Sequence, residues 1–200
     1  MSPPGKSIGI LGGSFDPVHK GHISIAKSFL ESDYIDELWV LLTPDPPHKT
    51  ETSLADYRYR LKMLQAAFGD IEGVNVSDLE NKLSQPSYTI QTLKYLYETY
   101  PQHKFFLCIG GDSFQDFKSW KDWQQILAHC NLLVAKRPGT NTKNMDDSIL
   151  KNTYFINHHP IAVSSTEVRE LVRTGNDISN LVPKEVEQII ETNNLYNSID

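Results

Sequence analysis

Two glycines and two histidines share one short segment near the N-terminus. Gly12 and Gly13 follow an apolar run, and His19 and His22 come a few positions later. Glycines let backbone N–H groups approach an anion closely, and residues three apart at a helix start lie on the same side. A helix start also carries partial positive charge. We therefore predict that this segment binds a polyphosphate.

Two other interpretations of the segment compete with phosphate binding. A Gly-Gly turn followed by surface histidines can be a plain strand-to-helix connection, which explains either feature better when it stands alone. His19 and His22 can also bind a metal ion, but in the sequence Asp16 is the one further ligand type close by. Two glycines, two histidines and Asp16-Pro17 together favour phosphate binding over both alternatives.

A second candidate anion site lies in the segment Ser164-Ser165-Thr166-Glu167-Val168-Arg169. Hydroxyl residues followed by an acidic residue and an apolar position mark the start of a helix. The N–H groups at such a start can bind phosphate, and Arg169, one turn further on, can reach the same anion. Taken alone, the segment is better explained as an ordinary helix cap. Together with the histidine segment it indicates a second phosphate contact.

Polar residues also follow three other predicted strands. Pro46-Pro47-His48-Lys49 brings a His and a Lys to one strand end, where an ordinary exposed loop is an equal explanation. Asp112, in Gly110-Gly111-Asp112-Ser113, can accept hydrogen bonds from a ribose, although a tight turn with a helix cap competes. Arg137 follows a third strand. Trp120 can stack on a flat ring, but tryptophans more often belong to the core.

The elements that must position these residues alternate between strand and helix. This order predicts an α/β fold, with a parallel sheet, helices on both faces and ligands beyond the carboxyl ends of the strands. The predicted strands are Ser7–Leu11, Leu38–Leu42, Val74–Val76, Lys104–Ile109, Leu132–Ala135 and, more weakly, Phe155-Ile156. The predicted helices contain Ile23–Leu30, Arg58–Phe68, Thr89–Tyr100, Trp123–His129, Thr166–Arg173 and Lys184–Thr192, and Pro138–Asp147 is predicted to be a surface loop.

Composition narrows the class of protein. The chain has 200 residues and a net charge of −6, which suits a globular domain and disfavours a grip on long nucleic acid. Cys108 and Cys130 are the two cysteines, and both are predicted to be reduced core residues. The sequence shows no signal segment and no apolar run long enough to span a bilayer. We expect a cytoplasmic protein that binds neither nucleic acid nor membrane.

The motifs, taken in order, resemble those of the bacterial nicotinate mononucleotide adenylyltransferases. Gly12–His22 is similar to their GGxFDPxHxGH signature, and Ser164–Arg169 to part of ISSTxIR. The HxGH element alone is shared with a wider superfamily that includes class I aminoacyl-tRNA synthetases. The resemblance runs nearly end to end and also includes Pro46–Lys49, Ser87–Thr89, Gly110–Ser113, Trp120 and Leu195-Tyr196. It departs at Val163 and Val168, which replace isoleucines, and at Lys121, where relatives often carry an aromatic residue.

The resemblance implies a fold, a domain organisation and a set of roles. The fold would be a Rossmann-like doubly wound parallel sheet of the nucleotidyltransferase type, with residues 1–200 as one domain and a helical C-terminal portion at about 164–200. Mg²⁺ would accompany ATP. His19 and His22 would be catalytic; Gly12, Gly13, Ser14, Phe15, Asp112, Arg137, Ser164, Ser165, Thr166 and Arg169 would bind ATP; Lys49, Thr89 and Trp120 would bind nicotinate mononucleotide.

The reaction that this resemblance implies needs no protein nucleophile. The acceptor's own phosphate attacks the α-phosphorus of ATP and releases pyrophosphate, so the protein has only to align the reactants and neutralise charge. Two rivals stay open, namely transfer to another phosphorylated acceptor such as phosphopantetheine and a non-catalytic nucleotide-sensing domain. An aminoacyl-tRNA synthetase is disfavoured by length and by the lack of a KMSKS-like segment. The sequence leaves the oligomeric state open, including a homo-oligomer.

Overall fold

A six-stranded parallel sheet forms the centre of the molecule. The computed structural model describes residues 5–46, 54–136, 142 and 145–197, so the predicted site residues Lys49 and Arg137 lie outside the described residues. The strands are β1 (Ser7–Gly13), β2 (Glu37–Leu42), β3 (Val74–Ser77), β4 (Lys104–Gly110), β5 (Asn131–Lys136) and β6 (Thr153–Asn157). All neighbouring pairs are parallel, which confirms the predicted α/β doubly wound fold.

Eight helices are described around this sheet. They are α1 (Lys20–Leu30), α2 (Tyr57–Phe68), α3 (Thr89–Thr99), α4 (Gly111–Gln115), α5 (Trp123–His129), α6 (Asp147–Lys151), α7 (Ser165–Arg173) and α8 (Lys184–Thr192). Short 3₁₀ turns at Leu79–Lys82 and Phe117–Ser119 lie before α3 and after α4. No described helix is long and apolar enough to cross a bilayer.

The strand order is β3-β2-β1-β4-β5-β6, so the chain winds outward from β1 in one direction and from β4 in the other. β1 and β4 lie side by side, with Ile10 opposite Leu107. In an open parallel sheet, ligands bind beyond the carboxyl ends of the strands at the point where the winding reverses. The fold thus predicts a site beside Gly13 and Gly110, the last residues of β1 and β4.

Alternating strand residues feed two hydrophobic clusters, one on each face of the sheet. Val40 and Leu42 of β2 belong to a cluster that includes buried residues of α1, α2, α7 and α8, whereas Leu41 belongs to the cluster of α3, α5 and α6. Successive strand side chains point to opposite faces, so a strand covered on both sides is apolar throughout. This arrangement explains why Leu38–Leu42 of β2 is an unbroken apolar run.

The two cysteines lie in this core and are free. Burial raises the pKa of Cys108, and it raises the pKa of Cys130 to about 12. A buried thiol with a raised pKa is unreactive, because the thiolate is the nucleophilic form. Their predicted role as small core residues is therefore confirmed.

Two short helices differ from the sequence interpretation. α4 occupies the predicted turn after β4, and α6 begins at Asp147, the last residue of the predicted loop. Each has 5 residues, too few for an apolar period of 3.6 residues to stand out. The other predicted helices and strands match the structure to within a few residues at each end, including β6 at the sheet edge.

Candidate active site

The turn between β1 and α1 brings the two motif histidines together. His19 is the residue before α1, and its ring stacks on that of His22 with centroids 3.7 Å apart and planes 22° apart. The backbone N–H of His19 donates to Nδ1 of His22 over 3.2 Å. Because Nδ1 accepts this bond, a neutral His22 carries its proton on Nε2 and offers that N–H as a donor. The pair suits an anion at the start of α1.

Packing around this turn requires small residues at two positions. A Cβ on Gly13 would lie 3.0 Å from the Phe15 ring, and one on Gly21 would lie 3.0 Å from both Nδ1 of His19 and Cγ1 of Val163. Phe15 itself has a left-handed φ of 43°, and its ring packs T-shaped against that of His22, with centroids 5.0 Å apart. A positive φ is costly for a bulky residue, so packing must hold Phe15 in place. Gly21 thus leaves room for His19 and Val163.

A cavity of about 660 Å³ lies at the carboxyl ends of β1 and β4. It is large enough for a nucleotide, since small-molecule sites commonly span about 300–1,000 Å³. Most of the predicted site residues line it: Gly12, Gly13, Ser14, Phe15, His19, His22, Thr89, Asp112, Trp120, Ser164, Ser165 and Thr166. The structure therefore gathers the histidine turn, the start of α7 and the predicted acceptor residues Thr89 and Trp120 around one space.

The start of α7 forms one wall of this cavity. Ser164 caps the helix: its hydroxyl accepts from the backbone N–H of Glu167 at 3.1 Å, and the Glu167 side chain accepts from the Ser164 N–H at 3.3 Å. The Ser165 hydroxyl donates to the carbonyl of Pro17 at 2.9 Å. Ser165 thus ties α7 to the β1–α1 turn. Its hydroxyl proton serves that link, which sequence reasoning did not foresee.

Arg169 does not line the cavity. Its Nη1 donates to the backbone carbonyl of Asp16 at 2.7 Å, and its Nη2 donates to the Thr166 hydroxyl at 3.3 Å. The guanidinium also lies 3.8 Å from the Asp16 carboxylate. In this structure Arg169 therefore links α7 to the β1–α1 turn. Its predicted contact with the ATP phosphates stays a prediction.

The Asp16 carboxylate is buried and joins distant parts of the chain. Its Oδ1 accepts from the Tyr196 hydroxyl at 2.8 Å and from the Ala55 N–H at 3.1 Å. Burial, followed by the charge of Asp16, raises the pKa of Tyr196 well above the usual range. Both hydrogen bonds use Oδ1, whereas Oδ2 is buried and faces the Arg169 guanidinium at 3.8 Å. Within the described ranges, no group of three or more His, Cys, Asp or Glu residues can hold a metal ion.

Two of the predicted acceptor residues, Thr89 and Trp120, lie on the wall formed by the start of α3 and the segment after α4. Thr89 begins α3, and Trp120 packs its ring 5.6 Å from that of Phe117. Lys121 places Nζ 4.1 Å from the centroid of the Tyr88 ring. Aromatic rings and a cation therefore occupy the part of the cavity where a flat, charged acceptor ring was expected.

Comparisons with known proteins identify the family. Residues 10–171 match the cytidylyltransferase-like family model. A probable nicotinate-nucleotide adenylyltransferase of Cytophaga hutchinsonii is 37% identical over 191 residues, covering 96% of this chain and 98% of the relative. Its counterpart in Flavobacterium johnsoniae is 34% identical, covering 94% and 98%. The chain belongs to the nicotinate-nucleotide adenylyltransferases. The resemblance drawn from the motifs is confirmed.

Solved structures of the family have the same fold. Plasmodium falciparum nicotinic acid mononucleotide adenylyltransferase, complexed with APC, aligns with a TM-score of 0.78 at 26% identity, covering 96% of this chain and 98% of that one. The same enzyme has also been solved in complex with NaAD, and aligns equally well at 25% identity. The chain is thus an enzyme of this family, which sets aside the phosphopantetheine and sensing-domain alternatives.

Sequence reasoning missed four buried polar residues near the site, namely Arg60, Glu80, Thr92 and His158, of which the last three line the cavity. Arg60 on α2 is 2% exposed, and Glu80 in the first 3₁₀ turn is 6% exposed. Glu80 lines the cavity and accepts from the Thr92 hydroxyl at 2.8 Å, while burial raises the pKa of its carboxyl. A signal for Arg60 was present, because it lies four residues before Leu64 and eight before Phe68, on the stripe that α2 buries.

Proposed function

We propose that this adenylyltransferase binds ATP and nicotinate mononucleotide side by side in the cavity at the ends of β1 and β4. The acceptor phosphate attacks the α-phosphorus of ATP, a bond forms between them, and the bond to the leaving pyrophosphate breaks. The products are nicotinate adenine dinucleotide and pyrophosphate. The observation that carries this proposal is the single cavity shared by the stacked histidines, the start of α7 and the Thr89–Trp120 wall.

In this scheme the histidine pair and two helix starts hold the triphosphate. His19 and His22 lie at the start of α1, where N–H groups and the helix dipole favour negative charge. The start of α7 supplies a second such site, with Ser164 and Thr166 beside it. Donors fixed in advance stabilise the charge that grows on the leaving pyrophosphate, which is how such sites accelerate transfer. Arg137, Arg169 and Lys49 are proposed to add positive charge, and Asp112 to accept from a ribose.

Mg²⁺ is proposed to enter with ATP rather than to occupy a site built from protein ligands. Mg²⁺ commonly keeps several waters and binds through substrate phosphates with one or two carboxylates. This fits the described part of the chain, where no cluster of three or more ligating side chains forms. When bound, the ion neutralises phosphate charge. A cytoplasmic location and a possible homo-oligomer stay predictions.

The acceptor wall is proposed to favour nicotinate over nicotinamide. A carboxylate only accepts hydrogen bonds, whereas a carboxamide also donates. Donors around Thr89 and Trp120, together with the Lys121 cation over Tyr88, would suit the acid. Each donor left unsatisfied by the amide costs about 1–3 kcal/mol, so two mismatches give a preference of roughly a hundredfold or more.

An acceptor panel tests the function and this preference. Pyrophosphate release is measured with ATP, Mg²⁺ and one acceptor at a time: nicotinate mononucleotide, nicotinamide mononucleotide or phosphopantetheine. We expect the highest kcat/KM with nicotinate mononucleotide. Equal kcat/KM values for acid and amide would show that the ring site is misread. Turnover with phosphopantetheine alone would overturn the proposed function.

A further inference from the structure

Arg60 forms hydrogen bonds with backbone segments on two sides of the candidate active site. Its Nε donates to the Ala55 carbonyl at 2.9 Å, and its Nη1 donates to the carbonyls of Ser14 and Thr43 at 2.9 Å each. Its Nη2 donates to the Pro44 carbonyl at 3.0 Å. One buried side chain therefore holds backbone atoms from three separate segments.

The segments that Arg60 holds are proposed to contact different substrates. Ser14 lies in the β1–α1 turn, whose histidines are proposed to hold the ATP phosphates. Thr43 and Pro44 follow directly after β2, on the side of the cavity proposed to bind the acceptor. The next residue, Asp45, accepts at its carbonyl from the Ser87 N–H at 3.1 Å, which links the segment after β2 to the start of α3. A continuous set of hydrogen bonds thus runs from the ATP turn through Arg60 towards Thr89.

The shape of the guanidinium suits this task. It is planar and offers five N–H donors in a fixed fork, whereas lysine presents a compact ammonium on a flexible stem. The four acceptors here are backbone carbonyls, and burial lowers the pKa of Arg60. A buried cation held by carbonyls is retained at a desolvation cost, so its value lies in fixing those carbonyls.

We propose that Arg60 is a positioning residue that sets the distance and orientation between the ATP subsite and the acceptor subsite. This inference rests on the proposed function, because it assigns the two turns to two substrates. Transfer requires the acceptor phosphate to lie in line with the α-phosphorus, and a misplacement of about 1 Å can lower the rate about a hundredfold. Arg60 touches neither substrate in this scheme and acts through Ser14, Thr43 and Pro44.

The test compares Arg60→Lys and Arg60→Gln with the parent. Arg60→Lys keeps the charge but loses the fork, and Arg60→Gln loses both. Arg58→Lys is the matched control, because Arg58 lies on the same helix with its side chain 69% exposed. For each protein, kcat and both KM values are measured, together with the Kd of ATP, of nicotinate mononucleotide and of nicotinate adenine dinucleotide. Far-UV circular dichroism monitors the fold.

A positioning role predicts a split between ligands. The dinucleotide spans both subsites, and a spanning ligand loses its advantage when the two sites no longer match its length. We expect both Arg60 variants to bind nicotinate adenine dinucleotide roughly ten- to a hundredfold more weakly. The Kd values of ATP and of nicotinate mononucleotide should change by less than about threefold. We also expect kcat to fall about a hundredfold, with Arg58→Lys like the parent.

Three results would overturn the inference. Parent-like dinucleotide affinity and kcat in Arg60→Lys would show that charge alone suffices. Equal loss of affinity for all three ligands would indicate a general loss of structure rather than a change of spacing. A parent protein that binds ATP but neither the mononucleotide nor the dinucleotide would refute the proposed function, and this inference with it.

Discussion

At the scale of single residues, the stacked histidines are the centre of the site. His22 accepts the His19 N–H on Nδ1, and its ring packs T-shaped against that of Phe15. Its orientation is therefore fixed before substrate arrives. Preorganised donors cost no rearrangement during a reaction, which is why removing one commonly lowers the rate of an enzyme by about 10²–10³-fold.

His22→Ala should lower kcat by about 10²–10³-fold, the usual effect of removing one preorganised contact to developing charge. The fold should persist, since the ring lies at the cavity wall rather than in the core clusters. Steady-state kinetics with saturating ATP and acceptor measure the effect, and circular dichroism checks the fold. Lys27→Ala, at an exposed position of the same helix, should behave like the parent. Normal kcat in a folded His22→Ala protein would remove His22 from the mechanism.

Arg169→Ala should weaken ATP more than the acceptor. The guanidinium holds the Asp16 carbonyl and the Thr166 hydroxyl, so its loss loosens the two segments proposed to bind phosphate. Charge-assisted contacts are worth about 1.5–3 kcal/mol, which corresponds to roughly a ten- to hundredfold rise in the KM for ATP. Arg173→Ala is the control, since Arg173 pairs with Glu170 on the exposed side of the same helix. An unchanged KM for ATP together with unchanged kcat would contradict the prediction.

At the scale of elements, the site is the meeting point of two strand ends and the starts of α1, α3 and α7. No single element defines the site, because a strand-to-helix turn or a capped helix is common in any α/β protein. The geometry of the site depends on hydrogen bonds between the elements, such as those of Ser165 with Pro17 and of Asp16 with Tyr196. Disturbing a link should therefore affect both stability and ATP binding.

Tyr196→Phe should lower the free energy of unfolding by about 1–3 kcal/mol, because the buried Asp16 loses a hydrogen-bond donor. The KM for ATP should rise as the β1–α1 turn loosens. Urea unfolding and ATP kinetics measure the two effects. Tyr154→Phe provides the comparison at a residue that is 41% exposed, and it should change neither quantity. Unaltered stability in Tyr196→Phe would mean that the link contributes nothing measurable.

The elements also show what sequence reasoning reached and what it missed. The apolar runs of β1, β2, β4 and β5, the histidine turn and the cap at Ser164 were all predicted, because each depends on neighbours in sequence. The carbonyl partners of Arg60 and the docking of Arg169 on Asp16 were not predicted, although the spacing of Arg60 with Leu64 and Phe68 indicates the buried side of α2. Both depend on carbonyls or carboxylates contributed by distant segments, and a local pattern cannot report those. The helices α4 and α6 were missed because they are too short to display a period.

At the scale of the whole molecule, two cysteines are buried and several tyrosines are half-buried in their neutral form. Burial raises the pKa of Tyr57 and of Cys130 to about 12 each, and it also raises those of Tyr97, Cys108 and Tyr196. In the unfolded chain these groups ionise near their ordinary values, about 8.5 for Cys and about 10 for Tyr. The unfolded state therefore loses protons first as the pH rises.

We expect the protein to lose stability in alkali. The contribution of these groups is fully present below about pH 8.5 and declines as the pH rises towards their folded pKa values, by up to about 1.4 kcal/mol per pH unit for a fully buried group. Urea unfolding at about pH 8, 9.5 and 11 measures the slope. Cys130→Ala should lower stability at about pH 8, because a buried side chain is shortened, but should make the decline with pH shallower. A parallel decline in both proteins would exclude Cys130 as a cause.

The hydrogen bond between Asp16 and Tyr196 can form only late in the synthesis of the chain. The two residues are separated by 180 positions. At about 5–20 residues per second, a ribosome needs roughly 10 to 40 seconds to travel from one codon to the other. Throughout that interval the β1–α1 turn has already been made, but the Asp16 carboxylate within it lacks the tyrosine hydroxyl. A nascent chain can thus pair its early strands before Tyr196 is available to complete the hydrogen bonds of the β1–α1 turn.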